Sequence, residues 1–339
     1  MTHRLLYLIL IIVALTACSS NDRQEDSSGD IIALGAYPFV TEYKGTYYYM
    51  LQTDIVDSTM LWATTDLGKL DLKNGKAVMT TRQNNLRNIW SPELHRINGK
   101  WYLYLEGDDG NTDNHQIYCF ENQSDNPMRG KWIQRGPIMT NKEWNYGIHP
   151  TTVLVGDRQY LLWSGWEKRR IETETQCIFI AEMENPWTLK SERILISKPE
   201  YEWERQWITA NGQRSAYPIF VNENPEAFLS PDKKKIIVTY SASGIWTEYN
   251  SLGMLYAETN SNLLDPHSWT KMSEPQFVAD STSGLFGTSN ISIVPSPDKT
   301  KTYMVYEAKH KKEEHVIIRD IRLKEITWDK NSMPVFGKP

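Results

Sequence analysis

Ser91-Pro-Glu-Leu-His-Arg-Ile-Asn-Gly-Lys-Trp-Tyr-Leu-Tyr104 reads as one β-hairpin: a short apolar run, an Asn98-Gly99 turn, then an aromatic-rich strand. The pattern recurs along the chain. Tyr37-Pro-Phe-Val-Thr-Glu-Tyr-Lys-Gly-Thr-Tyr-Tyr-Tyr49 precedes it, and His149-Pro-Thr-Thr-Val-Leu154, Glu223-Asn-Pro-Glu-Ala-Phe228 and Ser289-Asn-Ile-Ser-Ile293 each open a later copy that closes on a run such as Ile236-Ile-Val-Thr-Tyr240. Copies of this length, each followed by further strands, are the signature of a β-propeller, in which every repeat forms one blade. The expectation is an all-β, five-bladed β-propeller. Third strands are expected at 61–64, 116–120, 178–181, 254–257 and 315–319, and fourth strands around Trp132, Ile194, Trp269 and Ile326. The first residues of the innermost strands, Tyr37, Ser91, His149, Glu223 and Ser289, would then converge on one axis.

Composition narrows the partner. The chain has 339 residues, a formal net charge of -5 and 12% aromatic residues. A net acidic chain argues against nucleic acid. Lys309, Lys311 and Lys312 are interrupted by acids and read as a solvated turn. The aromatic content suits many short strands with wet outer faces, and a neutral or polar ligand.

The N-terminus is a different kind of segment. Arg4 precedes an apolar run over 5–15, too short for a membrane span, which ends in Leu15-Thr-Ala-Cys18. Small residues before a cysteine suit lipoprotein signal peptidase. Residues 1–17 are therefore expected to be a lipoprotein signal peptide, Cys18 the lipidated residue, 18–30 a flexible acidic tether, and 31–339 the propeller. That places the protein in a bacterial cell envelope, lipid-anchored in the outer membrane and facing the periplasm or the cell surface. Cys119 and Cys177 fall on strands of different blades and are expected to be unpaired core thiols.

Several longer stretches carry a resemblance: Asn88-Ile-Trp-Ser-Pro-Glu-Leu-His, Ala181-Glu-Met-Glu-Asn-Pro-Trp-Thr-Leu189, Lys198-Pro-Glu-Tyr-Glu-Trp-Glu204, Val221-Asn-Glu-Asn-Pro-Glu226, Thr239-Tyr-Ser-Ala-Ser-Gly244 and Leu263-Leu-Asp-Pro-His-Ser-Trp. From about residue 36 to 306 the chain resembles glycoside hydrolase family 43, and within it the exo-acting α-L-arabinofuranosidases. The resemblance implies inverting hydrolysis by an acid and a base, with a third carboxylate tuning the acid. Asn222-Glu223-Asn-Pro225 matches the motif of the acid, so Glu223 takes that role. The family's base, an aspartate before the proline of the first blade, is Tyr37 here, and its modulator on the third blade is His149. Many members place a histidine near an axial metal or water on the fifth blade, where Gly287-Thr-Ser-Asn290 offers Ser289. No metal or other cofactor is therefore expected.

The remaining candidates follow from the expected mouth of the ring. Trp90 and Glu93 start the second blade and are read as sugar contacts beside Ser289. Trp203, Trp207 and Trp246, with Trp166 and Tyr201, would form an aromatic rim, the first two on a long insertion at 198–221. Asp108-Asp109-Gly110 with Asp113 lacks the spacing of a calcium loop and reads as a solvated turn. Glu226, three residues beyond Glu223, would face away from it on a regular strand. Three functions compete: an exo-glycosidase acting on arabinose- or xylose-containing polysaccharide fragments, in which Tyr37 paired with Glu223 or Glu93 supplies a nucleophile and the reaction retains configuration, or a base comes from elsewhere, with His149 hydrogen-bonding Glu223 or serving as acid or base near neutral pH; a carbohydrate-binding lipoprotein that has lost catalysis; and an interaction scaffold.

Overall fold

The computed structural model describes residues 30–55, 57–168, 174–208, 218–310, 312 and 318–339. Blade one is built from β1 (Asp30–Tyr43), β2 (Thr46–Gln52), β3 (Ser58–Thr64) and β4 (Lys76–Thr80), and blade two from β5 (Arg87–Ile97), β6 (Lys100–Asp108), β7 (Gln116–Asn122) and β8 (Ile133–Pro137). Blade three holds β9 (Ile148–Val155), β10 (Arg158–Gly165) and β11 (Glu174–Asn185), with β12 (Thr188–Leu189) and β13 (Ile194–Ser197) both paired to β11. Blade four follows as β14 (Ile219–Leu229), β15 (Lys235–Ala242), β16 (Ser251–Glu258) and β17 (Thr270–Lys271); blade five as β18 (Phe286–Pro295), β19 (Thr302–Lys309) and β20 (Arg319–Trp328), with β21 (Pro334–Val335) beside β20. The inner strands β1, β5, β9, β14 and β18 touch one another in cyclic order, which makes the five-bladed propeller.

Two details differ from the sequence expectation. Ile326 lies on the third strand of blade five, not on a fourth. The fourth place is taken by the start of β1, where Asp30 to Gly35 pairs with Leu323 to Arg319 before the same strand crosses to the axis of blade one. The N-terminal strand thus closes the ring. Of the expected third strand at 315–319, residues 315–317 lie outside the described residues, as do the signal, Cys18 and most of the tether.

Alternation along each strand drives the packing: every second side chain enters a core between neighbouring blades. The cores are wedge-shaped and aromatic, for example Phe39, Leu94, Trp101 and Phe120 between blades one and two, and Leu252, Phe277, Met304 and Tyr306 between blades four and five. Cys119 and Cys177 sit together in the core between blades two and three, buried and free.

The inner strands share a bulge. In each, a residue with left-handed backbone interrupts the register: Tyr37, Ser91, His149, Asn224 and Asn290, with φ between 40° and 53°. Such a bulge re-aims the chain at the end of the axis. It also shifts the alignment of repeats. Glu223 and Ser289 precede the left-handed residue by one, so their counterparts are Ala36, Trp90 and Ile148 rather than Tyr37, Ser91 and His149. The bulges are held between blades: Asn224 N donates to Ser164 Oγ at 2.9 Å, Asn290 N to Ser241 Oγ at 3.0 Å, and Tyr37 N to Glu307 Oε2 at 3.0 Å. Each acceptor stands on the second strand of the preceding blade.

Candidate active site

At the end of the axis where the inner strands begin lies a cavity of about 270 Å³. Glu223 enters it from blade four, Tyr37 from blade one, Trp90 from blade two and His149 from blade three. Its walls are completed by Tyr146 and Trp166, whose rings stack at 3.8 Å, and by Trp246. A larger recess, about 760 Å³, opens at the opposite end of the inner strands; among the described residues no tryptophan, tyrosine or phenylalanine lines it. Only the smaller cavity joins a carboxyl to aromatic faces on which a sugar ring can stack.

Glu223 Oε2 stands 3.9 Å from Nε2 of His149, and Nδ1 of that ring meets Ser91 Oγ at 2.5 Å and lies 3.5 Å from Glu106 Oε1. Burial pushes the His149 imidazole down to about 3, so it is neutral at neutral pH. Burial pushes the Glu106 carboxyl up to about 8. The Tyr37 ring packs 5.2 Å from that of His149. Its phenol is held well above the ordinary tyrosine range by burial, reinforced by the charges of Glu223, Glu307 and Glu106. This end of the axis thus holds two neutral hydrogen-bonding groups, Tyr37 and His149.

Not every expected contact reaches the cavity. Ser289 is fully buried and spends its hydroxyl on the Asn250 side chain. Glu93 is buried beneath the bulge of blade two, where it meets His95 Nε2 at 2.7 Å; burial raises the carboxyl and lowers the imidazole to about 3, leaving a neutral pair. Trp203 donates its indole N–H to Ser273 O and packs on the core between blades three and four. Trp207 acts through its backbone: its carbonyl accepts the Trp246 indole N–H at 2.9 Å and so orients a ring that does line the site. A Cβ at Gly244 would stand 2.5 Å from that ring, so a larger residue there would displace it. The insertion carrying both tryptophans is anchored by buried Glu204, which meets Lys271 Nζ at 2.8 Å and accepts from Tyr240 Oη at 2.8 Å.

Other residues gain a place that the sequence did not give them. The hairpin loop between β6 and β7, expected as a solvated turn, contributes Thr112 and Asp113 to the cavity wall. His115 pins that loop: its ring packs tilted 4.2 Å from that of Trp90, with Nε2 at 2.8 Å from Asn88 O and Nδ1 at 2.9 Å from Thr112 O. Glu226 does not face away from Glu223's side of the strand, because the bulge at Asn224 resets the alternation, yet it does not line the cavity; it is buried with Oε1 accepting from Ile293 N at 3.2 Å. No group of three or more His, Cys, Asp and Glu side chains among the described residues is arranged to hold a metal. At the fifth blade the donors do not fit an axial cation: Ser289 and Asn250 satisfy each other, and the Arg319 guanidinium already neutralises Glu307 at 2.7 Å.

A five-bladed propeller with a carboxyl at the mouth of its axis is the frame of a class of glycoside hydrolases. The chain belongs to one family of that class, glycosyl hydrolases family 43, which matches residues 31–334. It is 30% identical over 315 residues to an extracellular exo-α-(1→5)-L-arabinofuranosidase of Streptomyces avermitilis, covering 90% of this chain and 62% of that one. The extracellular exo-α-(1→5)-L-arabinofuranosidase of Streptomyces chartreusis is 30% identical over 272 residues, 79% of this chain and 78% of its own length. The chain thus spans about three fifths of the first relative. A crystal structure of an α-L-arabinofuranosidase from Lactobacillus brevis superposes with a TM-score of 0.79 at 26% identity, covering 90% of this chain and 94% of that one.

Proposed function

We propose that the chain is an exo-acting glycoside hydrolase of the arabinofuranosidase type, which removes terminal sugars from arabinose- or xylose-containing polysaccharide fragments. The observation that carries this reading is Glu223 in a small cavity walled by Trp90, Trp166 and Trp246. A volume of about 270 Å³ is below the roughly 300–1,000 Å³ of sites for drug-sized ligands and suits one terminal sugar. Glu223 protonates the leaving oxygen, and water attacks from the opposite face with inversion. Tyr37 and His149 supply neutral hydrogen bonds to the sugar and to Glu223. Anchored through Cys18 and an acidic tether, the propeller works at the bacterial envelope, in keeping with relatives named as extracellular.

A second reading, a glycan-binding lipoprotein without activity, is favoured by Tyr37 and His149 standing where the family resemblance expects aspartates. The test is release of monosaccharide from arabinan, arabinoxylan and xylan oligosaccharides by the native protein and by Glu223→Gln. Release that Glu223→Gln abolishes is expected. Binding of these glycans without cleavage by the native protein would establish the second reading instead.

A further inference from the structure

Inversion needs a group that takes a proton from the attacking water, and the two positions where the family carries its other carboxylates hold Tyr37 and His149. Neither can serve. A phenol held protonated has no lone charge to offer, and an imidazole whose conjugate acid has a pKa of about 3 is too weak a base to draw a proton from water. Glu106, Glu93 and Glu307 are buried behind the wall and do not line the cavity. Among the described residues that do line it, the carboxylates are Glu223 and Asp113.

We infer that Asp113 is the general base of the hydrolysis proposed above, a role moved from the inner strand of blade one to the loop between β6 and β7 of blade two. The inference rests on the glycosidase reading. Asp113 and Glu223 enter one cavity from blades two and four, with blade three between them, so that a sugar and a water can lie between the carboxyls. Inverting sites require a gap of roughly 6.5–9.5 Å for that water. The loop is built to hold its backbone in place. Asn111 Oδ1 accepts from Asp113 N at 3.1 Å, Asp108 accepts from Asn88 Nδ2 and from Gly110 N at 2.7 Å, and His115 ties the loop to Trp90. Asp113 is half-buried, accessible from the cavity yet fixed at its backbone.

The step balances without a co-reactant. Water oxygen bonds to the anomeric carbon as the glycosidic C–O bond breaks; the bonding pair leaves on the aglycone oxygen, which takes the proton of Glu223. Asp113 takes the proton lost by water. Solvent exchange then returns a proton to Glu223 and removes one from Asp113.

The experiment compares Asp113→Asn, Asp113→Ala and Glu223→Gln on arabino-oligosaccharides and on 4-nitrophenyl α-L-arabinofuranoside, whose leaving group needs little protonation. Loss of the base should lower kcat roughly 10²–10⁴-fold on both substrates with KM little changed, whereas Glu223→Gln should spare the aryl substrate. Azide should partly restore Asp113→Ala and yield a glycosyl azide of inverted configuration. If Asp113→Asn stays within about three-fold of the native kcat, Asp113 is not the base and the glycosidase reading stands untouched. Loss of sugar binding by calorimetry in Asp113→Ala, with no rescue by azide, would overturn the role in favour of a structural one. A folded native protein inactive on every substrate would remove the glycosidase reading itself, and the base with it.

Discussion

At the scale of residues, the chemistry of the site follows from burial. Tyr37 is the sharpest case, because a tyrosine paired with a glutamate can be a glycosidase nucleophile. Here burial, and after it the neighbouring carboxylates, raise the cost of a phenolate. Tyr37→Phe should therefore lower kcat by no more than about ten-fold, the loss of a hydrogen bond rather than of a reacting group. A fall of about 10³-fold or more in steady-state kinetics would mean that the phenol reacts. Glu223 was legible in the sequence because its motif survives around it. Asp113 was not: a run of Asp, Asn and Gly in a hairpin loop looks the same whether it faces bulk water or a cavity. Ser289, Glu93, Trp203 and Trp207 looked like contacts for the opposite reason, since polar and aromatic residues near a strand start can be spent on the fold as well as on a ligand.

The elements explain why the register mattered. Hairpins were readable from turn residues and aromatic alternation, and four of the five third strands fall where the alternation puts them. The bulges were not readable, because Asn224 and Asn290 carry their left-handed backbone without a glycine. One residue of slip turned Glu226 inward and moved Glu223 and Ser289 out of the row of Tyr37, Ser91 and His149. Ser164 supports the bulge beside Glu223 through the Asn224 amide. Ser164→Ala leaves that amide buried without its partner, at a cost of about 1–3 kcal/mol measurable by urea unfolding. Activity should fall with it, since Glu223 is the adjoining residue. A variant as stable as the native protein would show that the inter-blade bond does not hold the bulge.

For the whole molecule, closure and charge set the behaviour. The ring is completed by a strand from the N-terminus, which a blade count from repeats could not show, because the strand lies outside the first repeat and pairs with the last. The interior carries buried carboxyls with raised pKa, Glu93, Glu106 and Glu226, and buried histidines with lowered ones, His95 and His149. Above about pH 4.3 the unfolded carboxyls ionise while the folded ones do not, so stability falls as pH rises, for Glu106 until about 8. Below about pH 6.5 the unfolded histidines take up protons while the folded ones do not, so stability falls as pH drops toward about 3. Carboxyls outnumber histidines, and the melting temperature should peak near about pH 5 and decline toward about pH 8, with Glu106→Gln flattening the decline. A melting temperature that climbs between those two values in a thermal scan would refute the buried neutral carboxyls.

The propeller is proposed to hydrolyse glycosides by inversion, with Glu223 as acid and with Tyr37 and His149 where the family resemblance expects aspartates. Proton NMR of the first sugar released from an α-linked arabino-oligosaccharide decides between inversion and retention. Inversion gives the β-anomer before mutarotation; an initial α-anomer would place a covalent nucleophile in the cavity and rule inversion out.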